Sequence, residues 1–278
     1  MTRSCCLEVY TPPMSRPDSL RGIAHAHSTR SFDGALRYPE LRRLFLDSQF
    51  DFACMTEHIE YLAQQDLEAI IEDCRANSDS DFLFVPGIEM DCFTVYFLGL
   101  EPVTVDFTDE RSIFASLRSA ARLCVLSHPI KARYSYPDWV VGQCDAVEIL
   151  NTKHDGHFFF RPQSERLLAR VQRTRPHVVP LVGMDFHEPS QLSTIHLRLT
   201  TSGRLTSDFV LDALSQGLVD FFDGDRRMRD AGPVERLYKR TRIRAMDVAH
   251  DTNRWMRHRG VRLPRILRRA LARTFEGT

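Results

Sequence analysis

Eight side chains carry the chemistry of this sequence: His25, His27, Asp33, His58, Glu89, His128, Asp185 and His187. They arrive in short clusters, His25-Ala26-His27-Ser28, Asp33-Gly34, Glu57-His58, Gly87-Ile88-Glu89, Ser127-His128-Pro129 and Gly183-Met184-Asp185-Phe186-His187. Imidazole and carboxylate are donors suited to zinc, manganese or iron. A divalent ion that activates water at neutral pH needs several such donors and an open position. Residues two apart in a strand share a face, so His25 with His27, and Asp185 with His187, form two chelating pairs. A lone His-x-His or a lone Glu would carry no such meaning. Recurrence at the end of one apolar run after another does, and it is the layout of a metal-dependent hydrolase.

The elements that must position these groups follow from periodicity. Short apolar runs at 21–25, 51–55, 81–86, 93–100, 123–126, 146–150, 178–182 and 195–200 are expected strands. Helical spacing predicts helices at about 38–48, 66–76, 111–122, 162–173, 207–216 and 233–250. Strand and helix alternate from Arg21 to about Gly224, which argues an α/β fold with a parallel sheet. Closed into a barrel, such a sheet presents every strand's carboxyl end on one face, where function resides.

Charge divides the chain. Its formal net charge is zero, yet residues 225–278 hold 16 Arg and Lys against 6 Asp and Glu. We therefore expect a domain at 1–224 and an Arg-rich helical C-terminal extension at 225–278. In the extension Leu263, Ile266, Leu267, Ala270, Leu271 and Phe275 recur at helical spacing among Arg265, Arg268, Arg269 and Arg273. Such an amphipathic basic helix can lie on an anionic membrane surface, grip a polyanion, or dock on the acidic remainder of the chain.

Several classes are disfavoured. The 7 Cys form no disulfide framework or Cys-type zinc pattern, and Cys5-Cys6 follow no apolar signal region, so a cytoplasmic location is expected. No apolar run approaches the roughly 18–20 residues of a membrane span. Neither a Gly-x-Ser-x-Gly elbow nor a Gly-x-x-x-x-Gly-Lys loop is present, which argues against acyl-enzyme and P-loop chemistry.

His-Ala-His-Ser followed by Phe-Asp-Gly, Thr-Glu-His, Gly-Ile-Glu, Ser-His-Pro and Gly-Met-Asp-Phe-His resembles the ordered motifs of the PHP (polymerase and histidinol phosphatase) superfamily, over about residues 21–188. The resemblance implies a distorted (β/α)7 barrel, two or three divalent metal ions and phosphoesterase chemistry. It implies a first ion on His25, His27, Glu89 and Asp185, a second sharing Glu89 and taking His128, and a third on Asp33, His58 and His187. Where the family often supplies a further His to the second ion, this chain has Tyr96, a poor ligand at its ordinary pKa of about 10. That site is then weak, completed by water, or served instead by Asn151 or His154. Glu57 is expected to orient an imidazole rather than to ligate.

Lys131 and Arg133 follow the Ser-His-Pro rim directly and are candidates for holding a phosphate oxygen. His157 and Arg161 flank Phe158-Phe159-Phe160 in a candidate substrate loop, with packing of the aromatics as the alternative. The expected substrate is a small phosphomonoester or phosphodiester. Nuclease-like action on nucleic-acid ends, a non-catalytic metal-binding module and a non-phosphate hydrolase remain open, as does the oligomeric state.

Overall fold

The computed structural model describes residues 19–157, 159–200 and 205–258, so the amphipathic stretch at 263–275 lies outside the described residues. The strands are β1 (Ser19–Ala26), β2 (Phe52–Met55), β3 (Glu57–His58), β4 (Leu83–Val85), β5 (Gly87–Met90), β6 (Val95–Leu98), β7 (Leu123–Leu126), β8 (Ala146–Asn151), β9 (Val179–Phe186), β10 (Ile195–Thr200), β11 (Asp220–Asp223) and β12 (Arg226–Arg227). The helices are α1 (Tyr38–Asp47), α2 (Gln64–Ala76), α3 (Glu110–Ala120), α4 (Asp138–Val141), α5 (Thr152–Asp155), α6 (Pro162–Gln172), α7 (Ser207–Ser215) and α8 (Pro233–His258). All the strands join one mixed sheet.

The pairings explain how distant donors meet. β2 runs through Thr56 into β3, and β4 runs through Pro86 into β5. β2 pairs with β4 and β3 with β5, both parallel. From there the ladder passes to β6, β7, β8 and β9, and β9 pairs with β1, which pairs with β2. The two ends of this path are joined by the chain itself, through Thr56 and Pro86, rather than by a strand pairing. β10, β11 and β12 branch from the outer half of β1.

The expected all-parallel sheet needs correction. β6 is antiparallel to both β5 and β7, and β10 to β12 add antiparallel pairs. The connection from β5 to β6 is a tight turn in which Thr94 N–H donates to Asp91 O (3.1 Å). A parallel crossover needs a dozen or more residues, so this link can only form a hairpin. The run expected at 81–86 is likewise interrupted, because Pro86 has no N–H for the ladder. Its carbonyl accepts from Gly99 and Leu100 instead.

Alternation along each strand builds the core. Tyr96 and Leu98 of β6, with Leu123 and Val125 of β7, join one apolar cluster. Their neighbours Val95, Phe97, Cys124 and Leu126 join a second, against Leu67 and Ile70 of α2 and Phe114 and Leu117 of α3. A third gathers Leu41 and Phe45 of α1 on Ala53 and Met55 of β2. Strands buried on both faces read as continuous apolar runs, which is why the sequence shows them plainly.

Capping sets the helix starts. Asp109 accepts from the N–H groups of Arg111 and Ser112 to open α3, and Thr206 accepts from Phe209 N–H to open α7. α8 begins where the sequence predicts and runs longer, to His258. It buries Ile243 and Met246 in the first cluster and pairs Asp247 with Arg161 at 2.7 Å. No helix among the described residues is long and apolar enough to cross a membrane.

Candidate metal centre

The donors meet where the strands end. His25 and Asp185 are the last residues but one of β1 and β9, with His187 just beyond β9; His58 closes β3, Glu89 lies near the end of β5, and His128 follows β7. Each of these six side chains is buried. Three of them, His25 (φ +69°), His128 (φ +22°) and Asp185 (φ +56°), hold left-handed backbone conformations rare for non-glycine residues. His25 and Asp185 also lie in register shifts of the β1 pairings. Strain of this kind persists where the surroundings over-determine it, and it concentrates at functional sites.

Four atoms form the innermost group. His25 Nε2 lies 3.1 Å from Glu89 Oε2 and 3.5 Å from Asp185 Oδ1, while His27 Nε2 lies 3.4 Å from each of the same oxygens. Bonds of about 2.0–2.2 Å to a tetrahedral ion place its ligand atoms roughly 3.3–3.6 Å apart. The spacing fits. The donor chemistry fits as well, because two carboxylate oxygens and two imidazole nitrogens, donors suited to zinc, manganese or iron, converge on one point.

The electrostatics agree. Burial opposes charge on His25, but Glu89, Asp185 and Glu148 outweigh it and hold its pKa well above the usual range. Burial would raise the carboxyl pKa values of Glu89 and Asp185, yet the surrounding imidazoles, His25 foremost, hold both well below the usual carboxylate range. His27, in contrast, is pushed down to about 3 by burial and stays neutral. The pocket is a buried anionic field that attracts a cation.

Each carboxylate has a second oxygen, and both face a second group. Glu89 Oε1 lies 2.7 Å from His128 Nε2, and Asp185 Oδ2 lies 2.9 Å from His154 Nε2. The His128 and His154 rings are 4.9 Å apart. His154 Nε2 is buried and makes no hydrogen bond of good geometry. It stands where the sequence left Asn151 or His154 open. Asn151 instead caps α5, accepting from His154 N–H at 3.2 Å, and donates to Glu148 Oε2 at 3.0 Å. Tyr96 packs its ring edge-on against His25 at 4.8 Å, and its buried hydroxyl makes no hydrogen bond of good geometry among the described residues. Burial, then Glu148, pushes that phenol well above its usual pKa, so it remains a neutral phenol.

A third group stacks His27 between His58 (4.4 Å) and His187 (4.1 Å). Asp33 reaches both outer rings, with Oδ2 at 3.0 Å from His187 and Oδ1 at 3.6 Å from His58. All eight sequence-selected donors are thus placed around one centre.

Three positioning residues escaped the sequence reading. Glu148, buried in β8, accepts from His25 Nδ1 (2.9 Å) and from the His128 backbone N–H (2.6 Å). Ser31 donates to Glu57 (2.6 Å) and accepts from His58 N–H (3.1 Å), leaving its oxygen 3.2 Å from His27 Nδ1. Glu57, which burial shifts upward, therefore acts on His27 through Ser31, and it also accepts from Ser28 and Tyr38. The third is Lys153, whose ammonium lies 3.0 Å from His187 Nδ1. A charged Glu148 inside Ala-Val-Glu-Ile-Leu was the visible signal.

The proposed substrate-loop residues behave differently. Lys131 Nζ lies 3.4 Å from Asp91 at the rim, and Arg133 is exposed in the same turn. Phe159 and Phe160 pack into the first cluster, and Arg161 is buried between Asp155 (2.6 Å) and Asp247 (2.7 Å). His157 meets Ser193 at 2.8 Å. Packing is therefore the role of the described aromatics, and Phe158 lies outside the described residues.

No protein-family profile and no curated protein sequence matches this chain. Among solved structures, a two-domain protein from Bacteroides vulgatus, described as containing a predicted PHP-like metal-dependent phosphoesterase, aligns with a TM-score of 0.56 at 15% identity, over 81% of this chain and 71% of its own. The fold is PHP-like. PsfC from Pseudomonas syringae aligns at 16% identity and a TM-score of 0.46, over 72% of this chain and 94% of its own. An amidohydrolase from Chromobacterium violaceum with bound sulfate and no metal aligns at 12% and 0.40, over 69% and 96%. These last two overlaps are too loose to carry an argument. At such identities the PHP likeness concerns the fold, and the chemistry rests on the donor geometry.

Proposed function

We propose that this chain is a PHP-type metal-dependent phosphoesterase that hydrolyses a small phosphomonoester or phosphodiester. The observation that carries the reading is the double sharing at the centre. Glu89 and Asp185 each turn one oxygen to His25 and His27 and the other toward His128 and His154. The run of strand pairings from β3 and β5 round to β1 and β2 supports a distorted seven-membered barrel at 1–224, with 225–278 as the extension whose first helix packs on it.

A first divalent ion would fit His25, His27, Glu89 and Asp185, and a second would fit His128, His154 and Asp185, with Glu89, Asp91 and His128 as a neighbouring group. Bound there, such ions supply Lewis acidity toward a phosphoryl oxygen and toward water. The chain's own residues do the rest. Glu148 and Ser31 hold His25 and His27 so that both Nε2 atoms face the cage. Burial of the donors limits competing water and strengthens every charge interaction. The overall step breaks the bond between phosphorus and the leaving oxygen, and water supplies the oxygen added to phosphorus and the proton that leaves with the alcohol. Lys131, at the rim, is placed to meet a further phosphate oxygen.

The test is steady-state hydrolysis of p-nitrophenyl phosphate and bis(p-nitrophenyl) phosphate by protein loaded with Mn, Zn or Fe. Turnover lost in both Asp185→Asn and His27→Ala supports the reading, and the preferred ester separates monoesterase from diesterase. No turnover with metal verified in place removes it.

A further inference from the structure

Lys153 stands out because it is a cation inside a ring of metal-type donors. It lies in α5, which is fixed at its first turn. Asn151 caps it, and Thr152 Oγ1 donates to Met184 O at 3.1 Å, tying the turn to β9. The Lys153 side chain is 27% exposed and directs Nζ inward. Its ammonium lies 3.0 Å from His187 Nδ1, 3.2 Å from His187 Nε2 and 3.5 Å from Asp185 Oδ1. An ammonium near both nitrogens of one imidazole stands over the ring rather than at the end of a single hydrogen bond.

That position belongs to the third donor group. An ion held by His187 lies within about 2.0–2.2 Å of a ring nitrogen. The Lys153 ammonium is 3.0–3.2 Å from the same nitrogens, so the two cations would be near neighbours in a poorly hydrated site. Like charges so placed exclude one another. The group is also built differently from the first. Its three imidazoles stack face to face, His27 lying 4.4 Å from His58 and 4.1 Å from His187, and its carboxylate, Asp33, is one-third exposed.

We propose that Lys153 takes the place of a third metal ion. The centre holds two divalent ions, and the lysine ammonium supplies the third positive charge that a phosphoryl group meets. This rests on the metal-centre reading above and narrows it, because the donors alone allow two or three ions. Asp33, His58 and His187 then form the anionic and imidazole wall that seats the lysine.

The test is elemental metal content after loading with Mn or Zn and exhaustive dialysis, for the wild type, Lys153→Ala, Lys153→Met and Lys153→Arg. Circular dichroism establishes that each variant is folded. Two ions per chain are expected in the wild type and in Lys153→Arg. A third is expected in Lys153→Ala and Lys153→Met, and it should be lost again when His58→Ala is added. Inorganic phosphate should inhibit folded Lys153→Ala at least 10-fold more weakly under limiting metal, and excess metal should restore the inhibition. Three ions in the wild type, or two in both neutral variants, would overturn the proposal while leaving the metal centre intact. A wild type that binds no ion would overturn both.

Discussion

Glu148 Oε1 lies 2.9 Å from His25 Nδ1, and this contact decides which nitrogen of His25 enters the metal cage. With Nδ1–H donated outward, Nε2 is the nitrogen turned to Glu89 and Asp185, and it would offer its lone pair once an ion displaces the proton. The other Glu148 oxygen holds the backbone N–H of His128, which sits at a strained φ of +22°. One buried carboxylate therefore orients a donor of the first group and pins a donor of the second.

Removing that carboxylate should loosen both. Glu148→Ala is expected to lower metal affinity by roughly 10–100-fold, the usual cost of losing such an orienting partner. Competition against a chromogenic chelator measures it. Affinity equal to wild type would mean that His25 needs no fixed tautomer.

Gly183 makes room for this carboxylate. A Cβ at Gly183 would stand 1.8 Å from Glu148 Oε1. Gly183→Ala should destabilise the protein by about 1–3 kcal/mol, as overpacking does, and should weaken metal binding. The cost should shrink when Glu148→Ala is present, because contacting residues couple. Additive losses in chemical denaturation would show that the two positions act separately.

Tyr96 fills the place of an expected ligand without ligating. Its buried hydroxyl makes no hydrogen bond of good geometry among the described residues, so Tyr96→Phe removes a poorly satisfied polar group rather than a metal bond. Unchanged metal content and equal or higher stability are expected, read by elemental analysis and urea denaturation. Loss of one equivalent of metal would restore Tyr96 as a ligand.

His196 gives the fold an acid limit away from the metal centre. It is buried in β10, stacked on Phe222, and burial lowers its pKa from 6.5 to about 4. The unfolded chain therefore binds this proton first. The contribution of His196 to stability is complete above pH 6.5 and declines as pH falls toward 4. In His196→Gln the fall in thermal stability across that window should be shallower. An unchanged slope would place the acid sensitivity elsewhere.

The donors were legible because they repeat in kind at successive strand ends, and because burial on both faces makes those strands plain apolar runs. The direction of β6 was not legible, since an apolar run such as Val95–Leu98 has no polarity of its own. The short turn at Asp91–Thr94 was the clue. His154 was hard to weigh because a four-residue helix, capped by Asn151, is what turns it toward Asp185. Lys153 lay hidden beside it, since a lysine in a polar tetrapeptide ordinarily faces water. Glu148 was exposed to inference as a carboxylate within a buried strand, where an unpaired charge is too costly to stand alone.

The central claim is that His25, His27, Glu89 and Asp185 enclose a metal ion. Anomalous diffraction from crystals of the Mn- or Zn-loaded protein tests it most directly. The account predicts a peak bounded by His25 Nε2, His27 Nε2, Glu89 Oε2 and Asp185 Oδ1, absent in Asp185→Asn. Metal-replete crystals with no peak among those four atoms would contradict it.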